Sequence, residues 1–181
     1  MRTCAAGPAR LRPHTSVLAA LAEVLRAARG NVDVERALPS VNVANGVGVL
    51  EEAVMDVTAW WPGDATWYAV DVTIRHPGAA RYGAAGRRAG VAAQMAEREK
   101  HRRYGPEVIP LAFESGGRLG AEGAAGLEQL AAVAAASECI TTSRGLVTRW
   151  RQRLEAALLF ALADATLLAL GGRCAEEGAG A

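Results

Sequence analysis

Apolar residues recur along this chain with two different periods. Val17, Leu18, Leu21, Val24 and Leu25 fall at helical spacing, which predicts a first helix capped by Thr15 or Ser16 and running to about Arg29, ended by Gly30 and Asn31. The stretch from Pro39 to Gly48 holds turn residues and little periodicity, and reads as a loop. From Val54 to Arg75 two apolar runs flank WPGDAT, where Pro62-Gly63-Asp64 supplies the reversal of a strand hairpin. A helix follows Pro77 and stops at Gly105-Pro106, with Ala93, Ala96, Glu97, Lys100 and Tyr104 near one face. Val108 to Phe113 reads as a short strand, and Pro110, lacking an N–H, puts it at a sheet edge or irregularity.

The glycine-rich Ser115 to Gly120 is then a tight strand-to-helix turn. It is no P-loop, because the Lys-Ser/Thr that would meet phosphate is missing. An alanine-rich helix over 121–137 turns Leu127, Leu130 and Val133 inward. A last helix runs from about Ser143 to Leu170, with Val147, Trp150, Leu154, Leu158 and Leu162 at helical spacing. This order predicts an α/β or α+β domain around a small mixed central sheet flanked by helices.

Composition narrows the class. A length of 181 residues suits one domain with its own core. Three scattered cysteines, Cys4, Cys139 and Cys174, are too few for a disulfide framework, and the N-terminus has arginines but no apolar signal region. Both point to a nuclear or cytoplasmic protein, not a secreted one. The late stretch AALLFALADATLLAL is apolar nearly all round, but it is shorter than the ~20 residues a membrane span needs and contains Asp164. It reads as a helix buried or packed against a partner, so self-association is expected there and a membrane is not.

Candidate chemistry gathers in and after the hairpin. Asp56-Val57-Thr58 and Asp71-Val72-Thr73 each place an acid and a threonine on one strand face, since residues i and i+2 share a face. Val70, Val72 and Ile74 lie on the other, toward a core. Two carboxylates presented together suit a divalent cation with oxygen ligands. Lys100 is the only lysine beside nineteen arginines. A lysine is a compact charge that approaches a single developing negative centre, where arginine offers a planar fork. Two acids and a lysine make a set suited to metal-dependent phosphodiester hydrolysis.

Charge distribution adds a partner. Between Arg75 and Tyr104 seven arginines and one lysine stand against Glu97 and Glu99, leaving +6 in a chain whose net charge is +1. Arg87, Arg88, Arg102 and Arg103 are the candidates for contact with a DNA backbone, which they would attract without reading sequence. A solvated helix face with internal pairs is the competing reading of the same residues. Trp60, Trp61, Trp67 and Tyr68 cluster at the hairpin turn, as packing or as a surface for bases.

DVTAWWPGDATWYAVDVTIRHP, AEREKHRRYG and VIPLAFESGGRLG, in that order, resemble the restriction-endonuclease-like domain of non-LTR retrotransposon polyproteins, a branch of the PD-(D/E)XK nucleases. The resemblance covers about residues 10 to 136. It implies a first Asp at Asp56, a second acid in a D-x-T motif at Asp71, and a lysine moved onto the following helix as K-x-x-x-Y, matched by Lys100 and Tyr104. It therefore implies a Mg²⁺- or Mn²⁺-dependent endonuclease that nicks target DNA, with the metal on Asp56 and Asp71 and with Lys100 and Tyr104 completing the catalytic set. Glu23 in the first helix and Glu35 after it are weaker candidates for a further acid. Related proteins carry a zinc knuckle before the nuclease, so Cys4 and His14 resemble its remnant within a flexible segment 1–14. The nuclease then spans 15–137, a helical extension 138–172, and a disordered tail 173–181.

Three departures stand out. Val54 replaces a basic residue, Met55 replaces a proline, and the interval from Asp71 to Lys100 is long. An inactive DNA-binding or scaffold remnant, and an unrelated small α/β oligomeric protein, are the alternatives these residues leave open.

Overall fold

The computed structural model describes residues 7–44, 50–137 and 142–177. Four strands form a mixed sheet: β1 (Asn31–Ala44), β2 (Leu50–Trp60), β3 (Trp67–Arg75) and β4 (Val108–Glu114), in that spatial order. β1, β2 and β3 are successively antiparallel, and β4 runs parallel to β3. A parallel neighbour needs a crossover, which is supplied by a 3₁₀ segment, Ala80–Arg87, and helix α2 (Val91–Tyr104). The remaining helices are α1 (Gly7–Ala27), α3 (Ala121–Ser137) and α4 (Arg144–Glu177).

Alternation along the strands separates two layers. Val57, Val70, Val72, Leu111 and Phe113 join Leu21 and Leu25 of α1, Leu127 and Leu130 of α3, and Trp150, Leu154 and Leu158 of α4 in the main core. Each such fully buried large side chain contributes roughly 1.5–3 kcal/mol. On the opposite face Ala93 and Ala96 of α2 meet Ala112 of β4. Small side chains on both sides let α2 lie close to the sheet, so its longer polar residues reach strand atoms. Helices thus cover both faces of β4, and all seven of its residues are buried although it is an edge strand. Pro110 is tolerated there because an edge leaves one row of N–H groups unpaired.

The hairpin and the 121–137 helix form as the pattern predicts. The first helix differs: it begins at Gly7, so Thr15 and Ser16 lie inside it and 1–14 is not a flexible segment throughout. It ends in a Schellman arrangement, with Gly30 N–H on Leu25 O and Arg29 N–H on Arg26 O, and Arg29 itself takes the left-handed conformation at φ 54°. Buried Trp61 completes this end by donating Nε1–H to Ala28 O at 2.8 Å.

The expected loop from Pro39 is largely strand, since β1 continues to Ala44; residues 45–49 lie outside the described ones. β1 is an edge strand with Val34, Glu35, Arg36 and Ala37 exposed and a register shift between Leu38 and Asn42. Solvent on both faces at Val34 to Ala37 erased the apolar alternation, and pairing with β2 supplied what the local sequence lacks. α4 likewise is no appended extension: Trp150, Leu154 and Leu158 are part of the main core. It continues to Glu177, through the first part of the expected disordered tail. Among the described residues no helix is long and apolar enough to cross a membrane.

Candidate active site

β2 and β3 pair from Trp60↔Trp67 to Val57↔Val70, and the ladder ends there. Asp56 is the next residue, at the fork where the two strands part. Its Oδ2 accepts the Val72 N–H at 2.7 Å, so a carboxylate takes the place of a backbone acceptor at the fork. The same oxygen lies 3.0 Å from His14 Nε2, brought in by α1.

Asp71 stands beside this fork on β3, on the face that α2 covers. Val70 and Val72 point into the main core as expected, but Asp71 and Thr73 are buried as well, because α2 seals their side too. Lys100 Nζ reaches Asp71 Oδ2 at 2.6 Å. One helical turn on, the Tyr104 ring lies 5.4 Å from Lys100 Nζ and 5.1 Å from the Arg103 guanidinium. The structure therefore brings Asp56, Asp71, Lys100 and Tyr104 together from three separate elements.

These groups share one electrostatic environment. Burial holds the Asp71 carboxyl above its ordinary value, against the Lys100 charge and hydrogen bond, while the neighbouring Asp56 charge pushes the same way as burial. His14 is raised chiefly by its hydrogen bond to Asp56, against burial, with the charges of Asp56 and Asp71 assisting. Tyr104 is raised by burial first and then by the negative charge of Asp71, with Arg103 opposing.

Asp56 and Asp71 are hard oxygen donors of the kind Mg²⁺ or Mn²⁺ takes. Among the described residues no group of three or more His, Cys, Asp or Glu side chains forms a metal-holding cluster. The donor set fits a hard ion that draws its remaining ligands from water and substrate oxygens, as Mg²⁺ commonly does.

Other candidates lie elsewhere. Glu23 is exposed and makes a two-oxygen contact with Arg153 of α4 at 2.9 Å, so it ties two helices together. Glu35 is exposed on β1 with φ 53°, bracketed by the pairs Val34↔Val57 and Arg36↔Met55. Arg88, Arg102 and Arg103 are exposed; of Arg87 only the backbone is described. Cys4 lies outside the described residues. His14 lies inside α1 with its ring nitrogen on Asp56.

Three further residues serve the site. His14 falls on the stripe of Val17, Leu18, Leu21 and Leu25, so extending that helical pattern one turn backward would have found it. Buried Glu97 accepts the N–H groups of Glu122 and Gly123 at 2.9 and 3.0 Å, satisfying the first turn of α3 from a different helix. Gly120 is needed there, because a Cβ would collide with that carboxylate. Buried Glu114 does the same for α2, accepting the Ala92 N–H at 3.1 Å. The helix carrying Lys100 is thus fixed by Glu114 at its start and by Glu97 near its middle. Such remote caps leave no short-range signal.

Neither family models nor curated proteins give a match to this chain.

Proposed function

We propose that this chain is a metal-dependent DNA-nicking domain of PD-(D/E)XK type, derived from a non-LTR retrotransposon, whose cut supplies a primer for reverse transcription. The observation that carries the reading is the pairing of Lys100 with buried Asp71 at 2.6 Å beside Asp56 at the strand fork. A desolvated acid–base pair next to a second carboxylate has a cost in stability that a purely structural site would seldom retain.

Asp56 and Asp71 would hold Mg²⁺ or Mn²⁺. When bound, the ion supplies Lewis acidity toward a phosphate oxygen and lowers the pKa of its water. Lys100 presents its ammonium to the phosphate as negative charge grows on it, and it needs no reorganisation to do so because Glu97 and Glu114 hold its helix. Tyr104 lies along the Lys100 side chain and confines where Nζ can go. His14 fixes Asp56 in one orientation through Oδ2. Exposed Arg88, Arg102 and Arg103 would meet the DNA backbone. Such a domain works where genomic DNA is, in the nucleus or cytoplasm. Self-association through the exposed apolar part of α4 is part of the same proposal.

The test is conversion of supercoiled plasmid to open circle with Mg²⁺, Mn²⁺ or chelator. Nicking should require the metal and should fall at least ~10²-fold in Asp71→Asn. Retained DNA binding with no metal-dependent nicking would instead identify a remnant that has kept the fold and lost catalysis.

A further inference from the structure

Adjacent tryptophans point to opposite faces of a strand. Trp61 is buried and meets Tyr68 edge-on, with ring centroids 6.1 Å apart, on the core side. Trp60 faces the other way, with Thr58 two residues before it and Trp67 as its register partner across the hairpin. These three side chains line a pocket of about 480 Å³ together with Arg36 of β1 and Asp64 of the turn. Asp56 is about 7 Å along β2 from Thr58 and about 13 Å from Trp60 at ~3.3 Å per residue.

Two features of the pocket are unexplained by the fold. Trp67 is 48% exposed although it is one of the largest apolar side chains. The Thr58 hydroxyl is buried, lines the pocket, and has no hydrogen-bond partner among the described residues. A buried hydroxyl left unpaired is costly, and a ligand that bonds it removes that cost.

We infer that this pocket receives one unpaired nucleobase of a nucleic-acid strand whose backbone runs along β2 toward Asp56. A base offers the two things the walls lack: a π face for the exposed indole, and edge atoms for the Thr58 hydroxyl. Arg36 on the wall is held by Asp33 at 2.6 Å, an exposed pair that contributes little, so a phosphate attached to the base can compete for its charge. The Asp64 carboxylate repels phosphate from the interior, so the base rather than the backbone is the part that enters. The inference rests on the reading of this chain as a nucleic-acid enzyme, and it adds that the preferred substrate is unpaired next to the cut.

The test measures binding without cleavage, by fluorescence anisotropy in chelator with the full chain. The probes are a short labelled single-stranded oligodeoxynucleotide and an abasic strand of equal length. The base-bearing strand should bind roughly tenfold more tightly, the effect of one stacked base. Trp67→Ala should abolish that difference, and folding is expected to survive because the ring is half in solvent. Thr58→Val, which deletes an unpaired hydroxyl from a buried site, should leave thermal stability unchanged or raise it while lowering base-dependent affinity severalfold. Equal affinities for the two strands, or a Trp67→Ala variant that still prefers bases, would overturn the pocket assignment. Plasmid nicking separates the two readings. A chain that nicks without base preference loses the pocket and keeps the nuclease, while base preference without nicking does the reverse.

Discussion

Lys100 sits where one compact charge reaches a carboxylate oxygen that a planar fork would straddle. Lys100→Ala would leave Asp71 buried without its cation, and removing one partner of a buried pair costs about 3–5 kcal/mol, so that variant mixes chemistry with stability. Lys100→Arg keeps the charge and is the cleaner probe. It should remain folded and bind DNA as before, yet nick at least ~10-fold more slowly in plasmid time courses; equal rates would remove any special role for the sole lysine. Glu97 offers a pH test. Its carboxyl is raised chiefly by burial, against the hydrogen bonds from Gly123 and Glu122. A raised folded value means that the native state takes up this proton first, so the burial penalty is fully felt above that value and relieved as pH falls toward 4.5. Glu97→Gln keeps an acceptor for both N–H groups without the charge. Denaturant titrations should find it at least as stable as the parent at pH 7, with its relative advantage shrinking as pH falls through the raised value. Glu97→Ala should cost about 1–3 kcal/mol at either pH, since two helix N–H groups lose their acceptor.

At the scale of elements, α2 does two jobs with two faces. Its inner face carries Ala92, Ala93, Ala96 and Glu97 against the sheet and α3, while Arg98, Arg102 and Arg103 are exposed. Arg75, at the end of β3, is instead committed to Glu99 at 2.8 Å, so it is a weaker candidate for phosphate contact. Replacing Arg88, Arg102 and Arg103 together by Ala should weaken duplex binding. The slope of log affinity against log salt should fall by about 0.9 for each phosphate contact removed. An unchanged slope would mean that this face is only solvated. Circular dichroism should be unaffected, because these side chains are exposed and the fixing contacts of α2 come from Glu97 and Glu114.

For the whole molecule, the second half of α4 leaves a broad apolar surface open. Leu159, Phe160, Leu167 and Leu168 are 49%, 74%, 66% and 55% exposed. We propose that two copies of the chain pair through this patch. The weight-average mass in sedimentation equilibrium should rise with protein concentration, and Phe160→Glu with Leu167→Glu should hold the chain monomeric. A parent that stays monomeric across the accessible range would exclude pairing through this surface. Because the buried half of α4 carries Leu154 and Leu158, the double variant leaves the core untouched.

Much of this molecule is legible along the chain, and what is legible is local. The hairpin follows from period-two alternation and Pro62-Gly63-Asp64, and α3 follows from its alanine-rich helical text closed off before by glycines. Asp56, Asp71 and Lys100 stand out as residue types, since two acids share a hairpin and the lysine is alone. Only the tertiary structure decided their relation. β2 and β3 part at Asp56, β4 adds parallel to β3 at the sheet edge, and the alanines of α2 let Lys100 come down onto Asp71. β1 escaped the pattern because an edge strand wet on both faces over Val34 to Ala37 owes its conformation to its neighbour. The helical period places His14 on the inner stripe of α1 and Glu97 on the inner face of α2, but their partners escaped, because a hydrogen bond spanning 42 residues, or a helix cap accepted by another helix's carboxylate, depends on distances in space that no period records.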